Sequence, residues 1–122
     1  MMINNYKDLI IWQKSMEVAL EVYKLTEKFP RSEVFGSVNQ MRRSAFSIPS
    51  NIAEGWARKS SGNYLQFLSI ASGSAAELET QLILTQRLGY GDKITYGRIL
   101  NLLLEVQKML NSFRSKIKSG VN

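Results

Sequence analysis

A chain of 122 residues with 16 Lys and Arg against 10 Asp and Glu carries a net charge of +6 and contains neither His nor Cys. Those absences exclude disulfide frameworks, zinc fingers, iron–sulfur sites, thiol nucleophiles, Ser-His-Asp triads and the common His-bearing metal sites. The charge points to an anionic partner or to a soluble basic surface, and the 44% apolar content suits one domain over residues 1–122.

The spacing predicts a first helix over about Tyr6 to Lys28, with Leu9, Trp12, Met16, Ala19, Tyr23 and Thr26 as a heptad seam. Phe29-Pro30 ends it, because the residue before proline disfavours the α region. Ser32 is then a candidate N-cap for a second helix running from about Glu33 to Arg58. Its seam is Val34, Val38, Met41, Ala45, Ile48 and Ile52, and Pro49 inside it predicts either a kink or a restarted helix. Residues 58–63 read as a turn. A third helix, from about Asn63 to Leu88, has Tyr64, Phe67, Leu68, Ala71, Ala75, Leu78, Leu82 and Leu88 at its spacing, with Gly89 placed as the C′ residue. Asp92 or Thr95 caps a fourth helix carrying Ile99, Leu102, Leu103, Val106, Met109, Leu110, Phe113 and Ile117. Nothing reads as a strand, and links of about three to six residues suit antiparallel neighbours. The expected fold is all-α, an antiparallel up-down-up-down four-helix bundle.

The charge is unevenly placed. Residues 31–59 are net +3 and residues 87–122 net +5, while residues 1–30 are neutral and residues 60–86 are net −2. No stretch approaches the roughly 18 apolar residues of a membrane span. The N-terminus has early charges and no small-residue cleavage site, so it does not read as a signal peptide; the expectation is a cytoplasmic protein with no membrane contact.

The second helix has an unusual polar face. Gln40, Arg43, Ser47, Asn51, Glu54 and Arg58 fall three and four residues apart, rich in Ser, Asn and Arg rather than Lys and Glu. Three readings fit: Glu54–Arg58 pairing with serine back-bonding near Pro49, a subunit interface, or an anion- or RNA-contacting surface. In the third helix Ile70-Ala71-Ser72-Gly73-Ser74-Ala75-Ala76-Glu77 is a run of small residues. Tight packing explains it; alternatively Ser72, Ser74 and Glu77 meet the polar face, with Glu77 neutralising Arg42 or Arg43. Arg87, Lys93, Arg98, Lys108, Arg114, Lys116 and Lys118 make a candidate basic surface, although Arg114, Lys116 and Lys118 also suit the helix dipole at a C-terminal end.

Catalytic patterns are absent from the sequence. Glu77 and Glu79 are two apart and point to different helix faces, there is no Glu-x-x-His pair, and no phosphate-binding glycine loop or nucleophile elbow occurs. The expectation is a non-enzymatic protein with no metal and no cofactor. A carboxylate-dependent nuclease using Glu54 and Glu77 is a third reading, after RNA binding and protein–protein docking.

At Arg42-Arg43 and Asn51-Ile52-Ala53-Glu54-Gly55 the sequence resembles the four helix bundle protein family, first noted as proteins encoded in intervening sequences of bacterial large-subunit ribosomal RNA genes. The accessory variability proteins of diversity-generating retroelements are relatives. The resemblance also takes in Asp8-Leu9, Trp12-Gln13, Phe29-Pro30, Phe35-Gly36, Ser47-Ile48, Phe67-Leu68, Gly73-Ser74, Glu77-Leu78 and Leu88-Gly89-Tyr90, in register along nearly the whole chain. Ser37, Pro49 and Trp56-Ala57 depart from the pattern. The resemblance implies a bundle that assembles as a ring-like homopentamer with no established enzymatic activity; in the retroelement relatives the pentamer engages nucleic acid and a reverse transcriptase. By position it makes Arg42, Arg43, Ser47, Asn51, Glu54 and Arg58 the signature cluster, forming subunit contacts or a charged channel. The function expected is a non-catalytic oligomer binding RNA or a ribonucleoprotein through a basic surface formed on assembly, the alternative being an adaptor that docks a partner protein.

Overall fold

The computed structural model describes residues 3–120, and the helices come in the expected number and order. α1 spans Ile10–Thr26, α2 Asn39–Arg58, α3 Ser61–Arg87 and α4 Lys93–Lys118. Each packs on the next, and α4 returns to α1, so the four close an antiparallel bundle. Among the described residues there is no strand.

The core is built from one stripe of each helix. Val38, Met41, Ala45, Ile48 and Ile52 from α2 and its lead-in meet Leu68, Ala71, Ala75, Leu78 and Leu82 of α3. Tyr96, Ile99, Leu103, Val106 and Leu110 line α4. Tyr96 is fully buried, and burial raises its phenol pKa. Its hydroxyl donates to Thr85 Oγ1 at 3.0 Å, and the Thr85 hydroxyl in turn donates to the Gln81 carbonyl at 2.8 Å. These two buried hydroxyls therefore both have partners.

Two helix ends follow their expected chemistry. Gly89 takes φ +85°, and the N–H groups of Gly89 and Tyr90 close on the carbonyls of Gln86 and Thr85. That is the double bond of a Schellman turn, and only the lack of a Cβ makes its left-handed backbone inexpensive. Asp92 accepts from the Thr95 N–H at 2.9 Å and the Thr95 hydroxyl at 2.7 Å, so both hold its carboxyl pKa down.

Three expectations fail. The first helix does not begin at Tyr6: Tyr6–Asp8 is a separate 3₁₀ turn capped by Asn5, and Leu9 is extended (φ −74°, ψ 125°) before α1. The burial of α1 is also offset by one residue. Ile11, Ser15, Val18, Val22 and Leu25 face the core with Ala19 and Thr26, while Trp12 and Met16 are half-buried and Tyr23 is exposed. Both stripes keep heptad spacing, and the smaller, β-branched one fits between α2 and α4. Finally, Ser32 caps nothing. A 3₁₀ turn at Arg31–Glu33 and a π turn at Val34–Val38 precede α2, with Gly36 outside helical geometry (φ −104°, ψ −111°). Val34 and Phe35 are consequently turned out to solvent.

Pro49 does not restart α2: it is buried inside one helix that runs from Asn39 to Arg58, so the Ala45 carbonyl lacks its usual N–H partner. The side chains that follow bond back one turn, Ser50 Oγ donating to the Phe46 carbonyl at 2.8 Å and Asn51 Nδ2 to the Ser47 carbonyl at 2.8 Å.

Candidate functional site

The polar face of α2 divides into two parts with different roles. Ser47 and Asn51 turn inward. Ser47 Oγ and Ser74 Oγ lie 2.8 Å apart across the α2–α3 seam, and Asn51 Nδ2 also donates to Ser47 Oγ at 2.9 Å. This welds two helices through hydroxyls. Glu54 and Arg58 instead pair with each other at 2.9 Å in solvent, with the Arg58 guanidinium 5.3 Å from the Phe67 ring. Close approach of α2 to α3 occurs at Gly55, where a Cβ would lie 2.9 Å from Phe67 Cβ and from the Tyr64 ring. Gly73, in the small-residue run, has open space around it, so tight packing accounts for buried Ala71, Ser74 and Ala75 but not for Gly73.

Arg42 faces α1. Its Nε donates to Thr26 Oγ1 at 2.9 Å, its Nη2 to the Tyr23 carbonyl at 3.3 Å, and the guanidinium lies 4.4 Å from the Tyr23 ring. A cation therefore meets the carbonyl end of α1, where the helix dipole favours it. Glu77 does not neutralise Arg42 or Arg43. It lines a cleft of about 370 Å³ with Phe35, Asn39, Gln40, Arg43, Ser44 and Gln81, yet none of the four ion pairs among the described residues includes it.

A groove with a largely apolar lining lies between α1 and α2. Trp12, Met16, Leu20 and Tyr23, the α1 stripe outside the buried one, form one wall, with the edge of core residue Ala19 between them. Phe46, Pro49, Ser50 and Ala53 form the other, and Tyr6 closes one end, its ring 5.5 Å from Trp12 and edge-on. The groove holds about 460 Å³. Leu20 and Phe46 are 58% and 63% exposed. Through Tyr23, Phe46 and Ser50 it runs into a second cleft lined by Asn39, Arg42, Arg43, Ser47 and Asn51. The seam spacing places Trp12, Met16 and Tyr23 in the core and gives no role to Phe46, although α1, with Leu20 and Val22 beside that seam, carries more large apolar residues than one seam can bury.

The expected basic residues are similarly sorted. Arg98 is engaged with Glu21, at 2.7 Å from Nη2 and 2.9 Å from Nε, and these bonds hold the Glu21 carboxyl pKa below its ordinary value. Arg114 is half-buried and donates to Ser72 Oγ at 3.2 Å, with its Nε enclosed and unpartnered. Arg87, Lys93, Lys108, Lys116 and Lys118 are exposed and outside the ion pairs found among the described residues. They form a dispersed row on α4 and the end of α3, with no side chain in the groove. Among the described residues no cluster of three carboxylates could hold a metal ion, and no helix is long and apolar enough to cross a membrane.

Comparison with known proteins agrees with this architecture. The model of the 23S rRNA-intervening sequence protein family matches residues 7–112. A crystal structure of a protein of unknown function from the S23 ribosomal protein family of Bacteroides thetaiotaomicron VPI-5482 is similar, with a TM-score of 0.77 and 30% identity. The match covers 86% of this chain and 98% of that one. No curated protein matches the chain. The chain belongs to the 23S rRNA-intervening sequence protein family, and neither comparison names an enzymatic activity.

Proposed function

We propose that this member of the 23S rRNA-intervening sequence protein family is a non-catalytic bundle that assembles with copies of itself through the α1–α2 face and presents the basic residues of α4 to RNA. One observation carries the reading: a groove of about 460 Å³ lined by aromatic and Met side chains is left open beside a filled core. Aromatic residues, Met and Arg are the types enriched at protein interfaces. The same face offers both the apolar groove and Arg42 and Arg43. Exposed lysines of α4 lie outside it, so a copy seated in the groove leaves them available. Each added copy brings a further +6, and the field of the assembly grows with it.

Native mass measurement followed by binding to a structured RNA across a salt series tests this. An oligomer that binds more weakly as salt rises is the expected result, because phosphate contacts release counterions. Substituting Lys108, Lys116 and Lys118 together by Glu should weaken binding at least tenfold at low salt without changing the mass. A monomer, or an oligomer indifferent to RNA at low salt, overturns the proposal. The aromatic lining of the groove also favours a second reading, an adaptor docking an unrelated protein. Partners that survive nuclease treatment of a native lysate would select it.

A further inference from the structure

Phe35 is 93% exposed, the most exposed large apolar side chain among the described residues. It stands on the π turn before α2, which projects it outward rather than into the bundle. An aromatic ring so fully in water is unfavourable unless something covers it, since burying it removes a large apolar area. Its surroundings extend the patch. Val34 beside it is 46% exposed. Gln81 lines the cleft next to Phe35, and Leu84, three residues further along α3, and Leu88, at its C-cap, continue that side, each 56% exposed.

The chain thus carries two uncovered apolar features on the two flanks of α2, and their shapes differ. The α1–α2 groove is concave and Phe35 is a projection. Their charges differ as well. Glu77 shares the cleft of Phe35 and Glu33 lies two residues before it, and neither carboxylate is in an ion pair among the described residues. The groove runs into the cleft of Arg42 and Arg43, which likewise lack a carboxylate partner there. Arg43 borders both clefts, so the positive charge peculiar to the groove side is that of Arg42, which donates to Thr26 and to the Tyr23 carbonyl but faces no carboxylate among the described residues.

We infer that the occupant of the groove is a second copy of this chain, seated by insertion of its Phe35 between Trp12, Leu20 and Phe46, with its Glu33 and Glu77 meeting the arginines at the groove's polar end. The volume suits this. About 460 Å³ corresponds to roughly fifteen waters at their bulk share of about 30 Å³ each, ample for a phenyl ring and its flanking side chains. A projection that fits a groove elsewhere on the same molecule is a heterologous contact, which repeats head to tail until the rotation closes a ring. The inference rests on the self-assembly proposed above and deepens it by naming both halves of the contact.

The two halves can be separated by substitutions on exposed positions that spare the fold. Phe35→Ser removes the projection, and Phe46→Lys blocks the groove. Native mass spectrometry and sedimentation should find each variant monomeric where the unaltered chain is assembled. An equimolar mixture should give a one-to-one heterodimer, since the intact Phe35 of one variant meets the intact groove of the other and the remaining surfaces are both defective. A Phe35→Ser chain that assembles like the unaltered protein overturns the inference. If Phe46→Lys alone abolishes that assembly, the groove is an interface and only its occupant has been misassigned. If both single variants are monomeric but their mixture yields no heterodimer, the contact is not heterologous and the pairing falls. An unaltered chain that is monomeric throughout removes the self-assembly reading as well.

Discussion

α1 carries two apolar stripes one residue apart, and the bundle uses only one of them. Ile11, Val18, Val22 and Leu25 enter the core with Ser15, whereas Trp12, Met16, Leu20 and Tyr23 line an open groove. The buried stripe is small and aliphatic. The open one is aromatic and flexible, which is the composition of surfaces that meet other molecules. The same division runs through α2, where Ile48 is fully buried and Phe46, two positions earlier, is 63% exposed. Two hydrophobic residues of similar size therefore have different duties, one in the fold and one outside it.

The largest expected effect sets these two residues against each other. Ile48→Ala should destabilise the chain by about 2–5 kcal/mol, through lost burial and the cavity left behind. Phe46→Ser should stay within about 0.5 kcal/mol, as exposed substitutions do. Denaturant unfolding at a concentration where the chain is monomeric makes the comparison. Similar losses from the two would place the outer stripe in the core and break the distinction.

A smaller contrast concerns two glycines that look equivalent in the sequence. Gly55→Ala should cost about 1–3 kcal/mol, because the new methyl meets Phe67 and Tyr64 at 2.9 Å. Gly73→Ala has open space and sits mid-helix, so it should stabilise by about 0.5–1 kcal/mol. Thermal unfolding of both variants reads the signs. A Gly55→Ala chain at least as stable as the unaltered one would show that the α2–α3 approach at Gly55 does not exist in solution, and a destabilised Gly73→Ala chain would show that Gly73 is not in open space.

The smallest effect belongs to the polar seam between α1 and α4. The folded pKa of Glu21 is depressed from an ordinary value near 4.5, mainly by its hydrogen bond to Arg98. Its stabilisation is therefore present above that ordinary value and is lost as pH falls through the lower folded value. Arg98 is 56% exposed although Glu21 is only 17% exposed, so solvent screens the pair from one side and the amount should be below about 1 kcal/mol. Glu21→Gln should flatten the acid limb of the stability profile while leaving Phe46→Ser effects unchanged. An unaltered acid limb would remove Glu21 from the account.

Much of this was legible in the sequence, for identifiable reasons. Four helices follow from periodicity, and Gly89 and Asp92 mark their ends because backbone conformation and capping chemistry are local. The burial of α1 was not legible, since two heptad stripes one residue apart satisfy the same pattern and only the neighbouring helices select between them. Phe35 escaped for a similar reason: the seam Val34, Val38 and Met41 reads as continuous helix, and the π turn that expels Val34 and Phe35 depends on non-helical Gly36. The polar face of α2 showed its unusual composition in the sequence. That Ser47 would reach Ser74 while Arg42 reached back to Thr26 required the packed structure.

The closing of the bundle has a kinetic consequence. Three of its helix contacts join neighbours in sequence, while α1–α4 joins the two ends of the chain. That contact must overcome the longest loop closure, so it is expected to form late and open early. It also holds both inter-helix ion pairs found among the described residues, Lys14–Glu105 at 2.6 Å and Arg98–Glu21 at 2.7 Å. Salt screens such pairs, so added electrolyte should speed amide exchange in α1 before α3 responds. The helix that supplies half of the groove is thus the one most easily released, and ionic strength would reach the assembly through the motion of α1 as well as through charge repulsion between copies.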